Sequence, residues 1–343
     1  AIDTPALVVD LDAMERNLAR MADWARQQGV RLRPHAKMHK CAEIARRQIA
    51  AGAVGVCVQK LDEAQALADA GIGDLYISNE VIAPAKLARL AVLAQRVRLA
   101  VAVDSLEGVR GLASALRGRS VTVEVFVEVD VGGERCGVSP QEAAPLALAV
   151  HEHHGDGLRL AGLQAYHGRA QHLRSVSERQ AAARETVARA AQARDALLDA
   201  GLPCPLVTGG GTGSFEIEST SGVYGEIQPG SYLFMDRDYA DNDTAPGRPA
   251  FEAALFVKAR VISRRLGQAV IDAGHKSHAL DSGPPRVWGQ ALDYVNGGDE
   301  HGILRSRNEA LLPALGDVVW LQPGHCDPTV NLHDELIVVR GGL

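Results

Sequence analysis

Short apolar runs alternate with amphipathic stretches along the first two thirds of the chain. The runs are rich in Val, Ile and Leu. They fall at 30–37, 53–60, 74–81, 97–104, 121–130, 158–168, 205–210 and 223–235. Between most of them Ala, Leu and Arg recur at helical spacing, as at 40–51, 61–70, 84–95 and 175–200. Runs this apolar predict strands buried on both faces, and the intervening helices make those strands parallel. Eight βα units over 30–235 suit a closed (β/α)8, TIM-like barrel better than an open sheet.

The pattern changes after about residue 245. Segment 241–250 is polar, contains Pro and Gly, and reads as a linker. Beyond it, 251–264, 268–273, 317–321 and 335–340 are strand-like with no helical spacers, which predicts an antiparallel β domain. A further run at 5–10 precedes the eight and is a candidate partner for that domain. The expected α/β architecture is therefore a barrel over 11–243 and a β domain made of 1–10 plus 244–343.

Composition narrows the function classes. The 343 residues are 46% hydrophobic and 23% charged, the balance of a globular protein, and at 4% aromatic the core must be aliphatic. Thirty-six Lys and Arg against 42 Asp and Glu give a net charge of −6, which argues against a nucleic-acid partner. No run is long and apolar enough to span a bilayer. Five cysteines without a CxxC pair, and no leader pattern, fit a cytoplasmic protein without a disulfide framework.

In such a barrel, chemistry gathers where the strands end. The first of the eight runs ends in Arg33-Pro34-His35-Ala36-Lys37. A lysine desolvated at a barrel mouth has a lowered pKa and attacks carbonyl carbon, although a surface lysine in a basic loop has the same sequence signature. The last two runs end in Thr208-Gly209-Gly210-Gly211-Thr212-Gly213-Ser214 and in Gln228-Pro229-Gly230-Ser231-Tyr232. Gly-rich turns followed by hydroxyls can cradle a phosphate, and they also serve as plain tight turns. A lysine plus a phosphate cradle points to pyridoxal phosphate. The candidate cradle residues are Thr208, Gly210, Gly211, Thr212, Gly230, Ser231 and Tyr232. Arg135, at the end of the fifth run, could reach a phenolate or carboxylate, or be a solvated loop residue. The sixth run ends Tyr166-His167-Gly168-Arg169-Ala170-Gln171-His172, where His167 and His172 are candidates for proton transfer. In the β domain, His325-Cys326-Asp327 read as an extended segment puts His325 and Asp327 on one face, with Cys326 on the other. A nitrogen and a carboxylate completed by water suit Mn²⁺, Mg²⁺ or a similar divalent ion.

These residues lie in motifs that resemble those of the fold-type III pyridoxal phosphate enzymes, the alanine racemase-like superfamily. Within it the chain is similar to the D-threonine aldolase and D-serine dehydratase branch. The motifs are TPALVVD at 4–10, RPHAKMHK at 33–40, GGGTGSFE at 209–216, QPGSYLFMD at 228–236 and PGHCDPTVNLHDEL at 323–336, in the family's order. The resemblance implies that Lys37 carries the cofactor as a Schiff base and that His325 and Asp327 bind the metal; Arg135 and Tyr166, at the ends of the fifth and sixth runs, are further cofactor-site candidates. Dehydratase-like members have His-x-Cys at the metal position and use zinc, whereas His-x-Asp is the aldolase pattern and favours Mn²⁺. The implied activity is retro-aldol cleavage of D-threonine and other D-β-hydroxy-α-amino acids to glycine and an aldehyde, by a homodimer. The alternatives are a D-serine or D-3-hydroxyaspartate dehydratase, then an amino acid racemase or a non-catalytic pyridoxal phosphate carrier.

Overall fold

The computed structural model describes residues 2–342. By contacts the chain divides into one compact unit over 22–230 and another made of 2–21 with 231–342. These boundaries fall inside those drawn from the sequence pattern. Asn17 shows why: its side-chain amide donates to Leu233 O at 3.1 Å and Glu252 O at 2.7 Å, and its oxygen accepts from Glu252 N.

One strand, β1 (Ala6–Asp10), precedes the barrel and belongs to the second unit. The barrel strands are β2 (Arg31–Leu32), β3 (Val56–Val58), β4 (Asp74–Glu80), β5 (Arg98–Val103), β6 (Val123–Glu128), β7 (Leu158–Ala165), β8 (Val207–Gly209) and β9 (Glu226–Ile227). Each of the eight expected runs contains one of them, all parallel, in the order β2-β9-β8-β7-β6-β5-β4-β3. The ends of that order meet. Val54 N donates to Leu32 O at 2.9 Å, Cys57 N donates to Pro34 O at 2.8 Å, and His35 bridges to Cys57. The expected helices form at Ala42–Ala50, Leu61–Asp69, Pro84–Leu93 and Val176–Asp199. Their starts follow local rules: Pro84 occupies the first turn of one, and the Ser175 hydroxyl accepts from Glu178 N in another.

Alternation along the strands sorts the side chains. Leu75 and Ile77 of β4 and Val123, Val125 and Val127 of β6 face the helices in a large aliphatic core. Tyr76, Phe126, Cys57 and Ala100 form a second cluster, with the Tyr76 and Phe126 rings 4.9 Å apart. A polar chain accompanies that cluster. The Arg33 Nε donates to Glu226 Oε1 at 3.2 Å and its Nη1 to Asp74 Oδ1 at 2.5 Å. Thr208 donates to Glu226 at 2.9 Å, Gln228 Nε2 donates to Thr208 at 2.7 Å and to Gln164 at 2.9 Å, and Tyr76 OH donates to Gln164 at 2.8 Å. Burial opposes the charge on Arg33, but Glu226 and Asp74 outweigh it and hold the guanidinium firmly ionised.

The second unit is built on β10 (Leu255–Arg265), β11 (Gln268–Ile271), β12 (Arg286–Val287), β13 (Asp293–Asn296), β14 (Gly302–Arg305), β15 (Val318–Gln322) and β16 (Ile337–Val339). Their order is β12-β15-β10-β11-β14-β13, antiparallel throughout. As expected, β1 joins this sheet, antiparallel to β10 with Val8 opposite Phe256, and it also pairs in parallel with β16. The sequence pattern missed β12, β13 and β14, which have exposed residues on one face and no continuous apolar run. No helix among the described residues is long and apolar enough to cross a membrane.

Removing one partner of a buried ion pair strands the other charge. We therefore expect Glu226→Ala to lower stability by about 3–5 kcal/mol, read as a lower urea midpoint. Glu226→Gln, which keeps acceptors for Arg33 and Thr208, should cost less.

Candidate functional site

Lys37 sits in a single helical turn, Ala36–Met38, directly after the β2 segment. His35 caps that turn, its Nδ1 accepting from Lys37 N at 3.4 Å. Because Nδ1 accepts, Nε2 carries the proton and donates to Gln59 Oε1 at 3.0 Å, with Ser78 Oγ at 3.2 Å. Burial, reinforced by the Lys37 charge, holds the imidazole well below its ordinary pKa, so it is neutral. His35, Ala36 and Met38 are buried while Lys37 is exposed. This corrects the expectation of a desolvated lysine: the turn swings the side chain out past the strand end, where an aldehyde in solution can reach it.

Other sequence candidates converge on the same end of the barrel. The Arg135 guanidinium lies 5.8 Å from the centre of the Tyr166 ring, and its charge is felt at His35. Arg135 also lies 3.8 Å from the buried Glu128 carboxylate. Burial and then the neighbouring Glu80 carboxylate push Glu128 upward, so the pair retains a proton. A Cβ on Gly211 would lie 3.1 Å from Tyr166 and would overlap Gln171 Oε1. Gln171 is the organiser of this loop. Its oxygen accepts from Gly213 N at 2.8 Å and its amide donates to Ser214 Oγ at 2.7 Å. Ser214 in turn donates to the buried Glu218, which burial pushes up to about 8. A Cβ on Gly210 would lie 3.3 Å from Glu218, and Thr212 is buried. A Cβ on Gly230 would lie 3.1 Å from His35 O, so the eighth-strand loop runs beside the lysine turn.

Three cradle candidates are placed differently. The Thr208 hydroxyl is committed to Glu226 and Gln228 inside the barrel rather than to the loop. Ser231 and Tyr232 fall in the second unit, both buried, with the Tyr232 ring 5.6 Å from Phe251. His167 is half-buried, and burial lowers its pKa. Its Nδ1 accepts from Ala170 N at 3.4 Å, and its Nε2 lies 3.2 Å from a Cβ position on Gly132. His172 is exposed. Glu80, Asp104 and Cys136, at or just beyond the ends of β4, β5 and β6, bring ligand atoms within 4.8 Å of one another. Burial and then Glu80 raise Cys136 to about 11, which keeps it a thiol and a poor metal ligand.

In the second unit, His325 is the last extended residue before a short helix, Cys326–Val330. The expected extended His-x-Asp is therefore a cap followed by a first-turn aspartate. The pair still converges, with His325 Nε2 3.6 Å from Asp327 Oδ2. Asp281 accepts from His325 Nδ1 at 2.6 Å. Cys326 is buried, and its N donates to the buried Asp236 at 2.9 Å. Asp281, Asp236 and Gln171 were absent from the sequence-derived site: Asp236 closes the QPGSYLFMD motif and Gln171 lies between His167 and His172, but their partners are distant in sequence, and no motif marks Asp281.

A sequence model of the alanine racemase N-terminal domain matches residues 9–238, and one described as a putative serine dehydratase domain matches 254–339. The chain is 48% identical to a D-threonine aldolase of an Arthrobacter species, covering 100% of this chain and 90% of that one. It is 42% identical to a 3-hydroxy-D-aspartate aldolase of Paracoccus denitrificans, covering 99% and 89%. The crystal structure of D-threonine aldolase from Filomicrobium marinum superposes with a TM-score of 0.97 at 51% identity, covering 99% of this chain and 92% of that one.

A pH effect follows from His35. Its folded pKa lies below the unfolded value of about 6.5. Its contribution to stability is therefore complete above that pH and is lost as pH falls toward the folded value. His35→Gln should flatten the decline of Tm below about pH 6.5, while lowering Tm at pH 8 through the lost cap.

Proposed function

The chain belongs to the D-threonine aldolase family of alanine racemase-like proteins, and from that premise we propose that it cleaves D-threonine and related D-β-hydroxy-α-amino acids to glycine and an aldehyde. The proposal includes pyridoxal phosphate and a divalent ion, with Mn²⁺ the best match to one nitrogen and one oxygen donor. It also includes a cytoplasmic homodimer.

The residues present fit both groups. Lys37 offers an exposed amine for the cofactor's aldehyde, and Arg135 beside Tyr166 offers a cation for its phenolic oxygen. Gly210, Gly211 and Thr212 offer a loop held by Gln171 for its phosphate, with Gly230 near the lysine turn. Ser231 and Tyr232 remain candidates on the following turn. His325 and Asp327 would hold the metal. When bound, pyridoxal phosphate supplies an electron sink for bond cleavage at Cα, and a divalent ion supplies Lewis acidity toward a hydroxyl oxygen.

The chain's own part is binding, orientation and proton transfer. The β-hydroxyl must lose a proton, and Cα must gain one after the Cα–Cβ bond breaks. His167, neutral because it is half-buried, and His172, accessible on the surface, are the side chains offered for the first transfer. Lys37 is the amine offered for the second.

The observation that carries the aldolase reading over a dehydratase is the placement of Cys326. It is buried, so Asp327 and not a thiol is the side chain that meets His325. A dehydratase remains the second reading, on the match to the serine dehydratase domain.

With pyridoxal phosphate, Mn²⁺ and D-threonine, the purified protein should yield glycine and acetaldehyde, and EDTA should abolish both. Formation of 2-oxobutyrate instead would make it a dehydratase. Lys37→Ala should remove the visible absorbance of the bound cofactor. Asp327→Ala should keep that absorbance and lose the metal-dependent turnover.

A further inference from the structure

The His325 ring has two nitrogens that point away from one another, and both are committed. Nε2 faces Asp327 Oδ2 at 3.6 Å. Nδ1 lies 2.6 Å from Asp281 Oδ2. An ionised carboxylate only accepts hydrogen bonds, so the hydrogen of that short contact sits on Nδ1. With the proton there, the neutral ring has its lone pair on Nε2, the side where Asp327 lies. Asp281 stands across the ring from that position and cannot share an ion with Nε2. Its Oδ2 also accepts from the Ser282 hydroxyl at 3.2 Å, which steadies the carboxylate.

We infer that Asp281 is a positioning residue for the metal pair: it fixes the tautomer and the rotation of His325 so that Nε2 is the ligating atom. The inference rests on His325 and Asp327 being the metal ligands. Nothing in the local sequence marks Asp281, which lies 44 positions before His325 in the chain. Its chemistry is that of a carboxylate behind a ligating imidazole. Such a partner raises the basicity of the ligand and spares the ion the cost of orienting a free ring. Two features bear on Asp327 instead. Cys326 N donates to the buried Asp236, and the Thr329 hydroxyl donates to His325 O at 2.6 Å, so the helical turn is anchored at its start. The aspartate is thus placed by the backbone and the histidine by Asp281.

The test is direct measurement of Mn²⁺ binding to the cofactor-loaded protein without substrate, by the electron paramagnetic resonance signal of free Mn²⁺. Asp281→Ala should weaken binding by about 10–100-fold, with the cofactor absorbance unchanged. Asp281→Asn, whose side-chain oxygen can still accept from Nδ1, should weaken it less. Activity lost by Asp281→Ala at low Mn²⁺ should return at saturating Mn²⁺. His325→Ala is the control. If His325→Ala loses Mn²⁺ while both Asp281 variants bind as tightly as the parent, Asp281 has no positioning role. If His325→Ala itself binds Mn²⁺ normally, the metal assignment fails first. Should Asp281→Ala fold poorly, the asparagine variant alone decides between the outcomes.

Discussion

The ion pair between Arg33 and Glu226 is the interaction on which the barrel depends. The two side chains are almost wholly buried and belong to neighbouring segments of the barrel, Arg33 just after β2 and Glu226 on β9. Arg33 lies two residues before His35, and Glu226 two before Gln228, so the pair fixes where both loops leave the barrel. Charges this deep are tolerated only when every hydrogen-bonding atom has a partner. Asp74 supplies one on β4 and Thr208 another on β8. The result is a polar spine through an otherwise aliphatic barrel, running from Arg33 through Glu226, Thr208, Gln228 and Gln164 to Tyr76. Gly55 belongs to the same constraint, because a Cβ there would strike both Arg33 Nη1 and Asp74.

The spine also explains how the lysine turn is held. The segment from Arg33 to His35 is tied to β3 by the Cys57 N bond to Pro34 and to the eighth-strand loop by the His35 N bond to Pro229. His35 then spends both ring nitrogens on the turn and its neighbours. Lys37 is left exposed on a rigid base, so its accessibility comes from backbone geometry and not from a hydrophobic pocket. The glycine loop is treated in the same way. Gln171, Ser214 and Glu218 support it from behind, and Gly210 and Gly211 lack the Cβ atoms that would press on Glu218 and Gln171.

The fold was legible because burial on both faces writes a strand as an uninterrupted apolar run. Each of the eight runs contains its strand, and the helices between them follow the period of the amphipathic stretches. Legibility faded in the second unit. Strands such as Asp293–Asn296 bury one side chain and expose the rest, so no run announces them. At the site, motif residues such as Lys37 and His325 were found in sequence because their types carry the chemistry. Their environment was not. The exposure of Lys37 depends on a three-residue turn, and the helix after His325 is too short to leave a periodic signal. Gln171 and Asp281 act across 42 and 44 positions of sequence, and such pairings exist only once the chain has folded.

The pairing of β1 with β10 and β16 has a consequence for synthesis. A ribosome releases the chain from the N-terminus, so Ala6–Asp10 emerges before anything it pairs with. Its partners lie at 255–258 and 337–339, after the whole barrel has been made. The barrel over 22–230, whose strands pair only among themselves, can assemble during translation. That strand must wait, its apolar side chains uncovered, until residues 255–258 have been made. Vectorial synthesis therefore separates β1 from its first partner by the time taken to make the whole barrel.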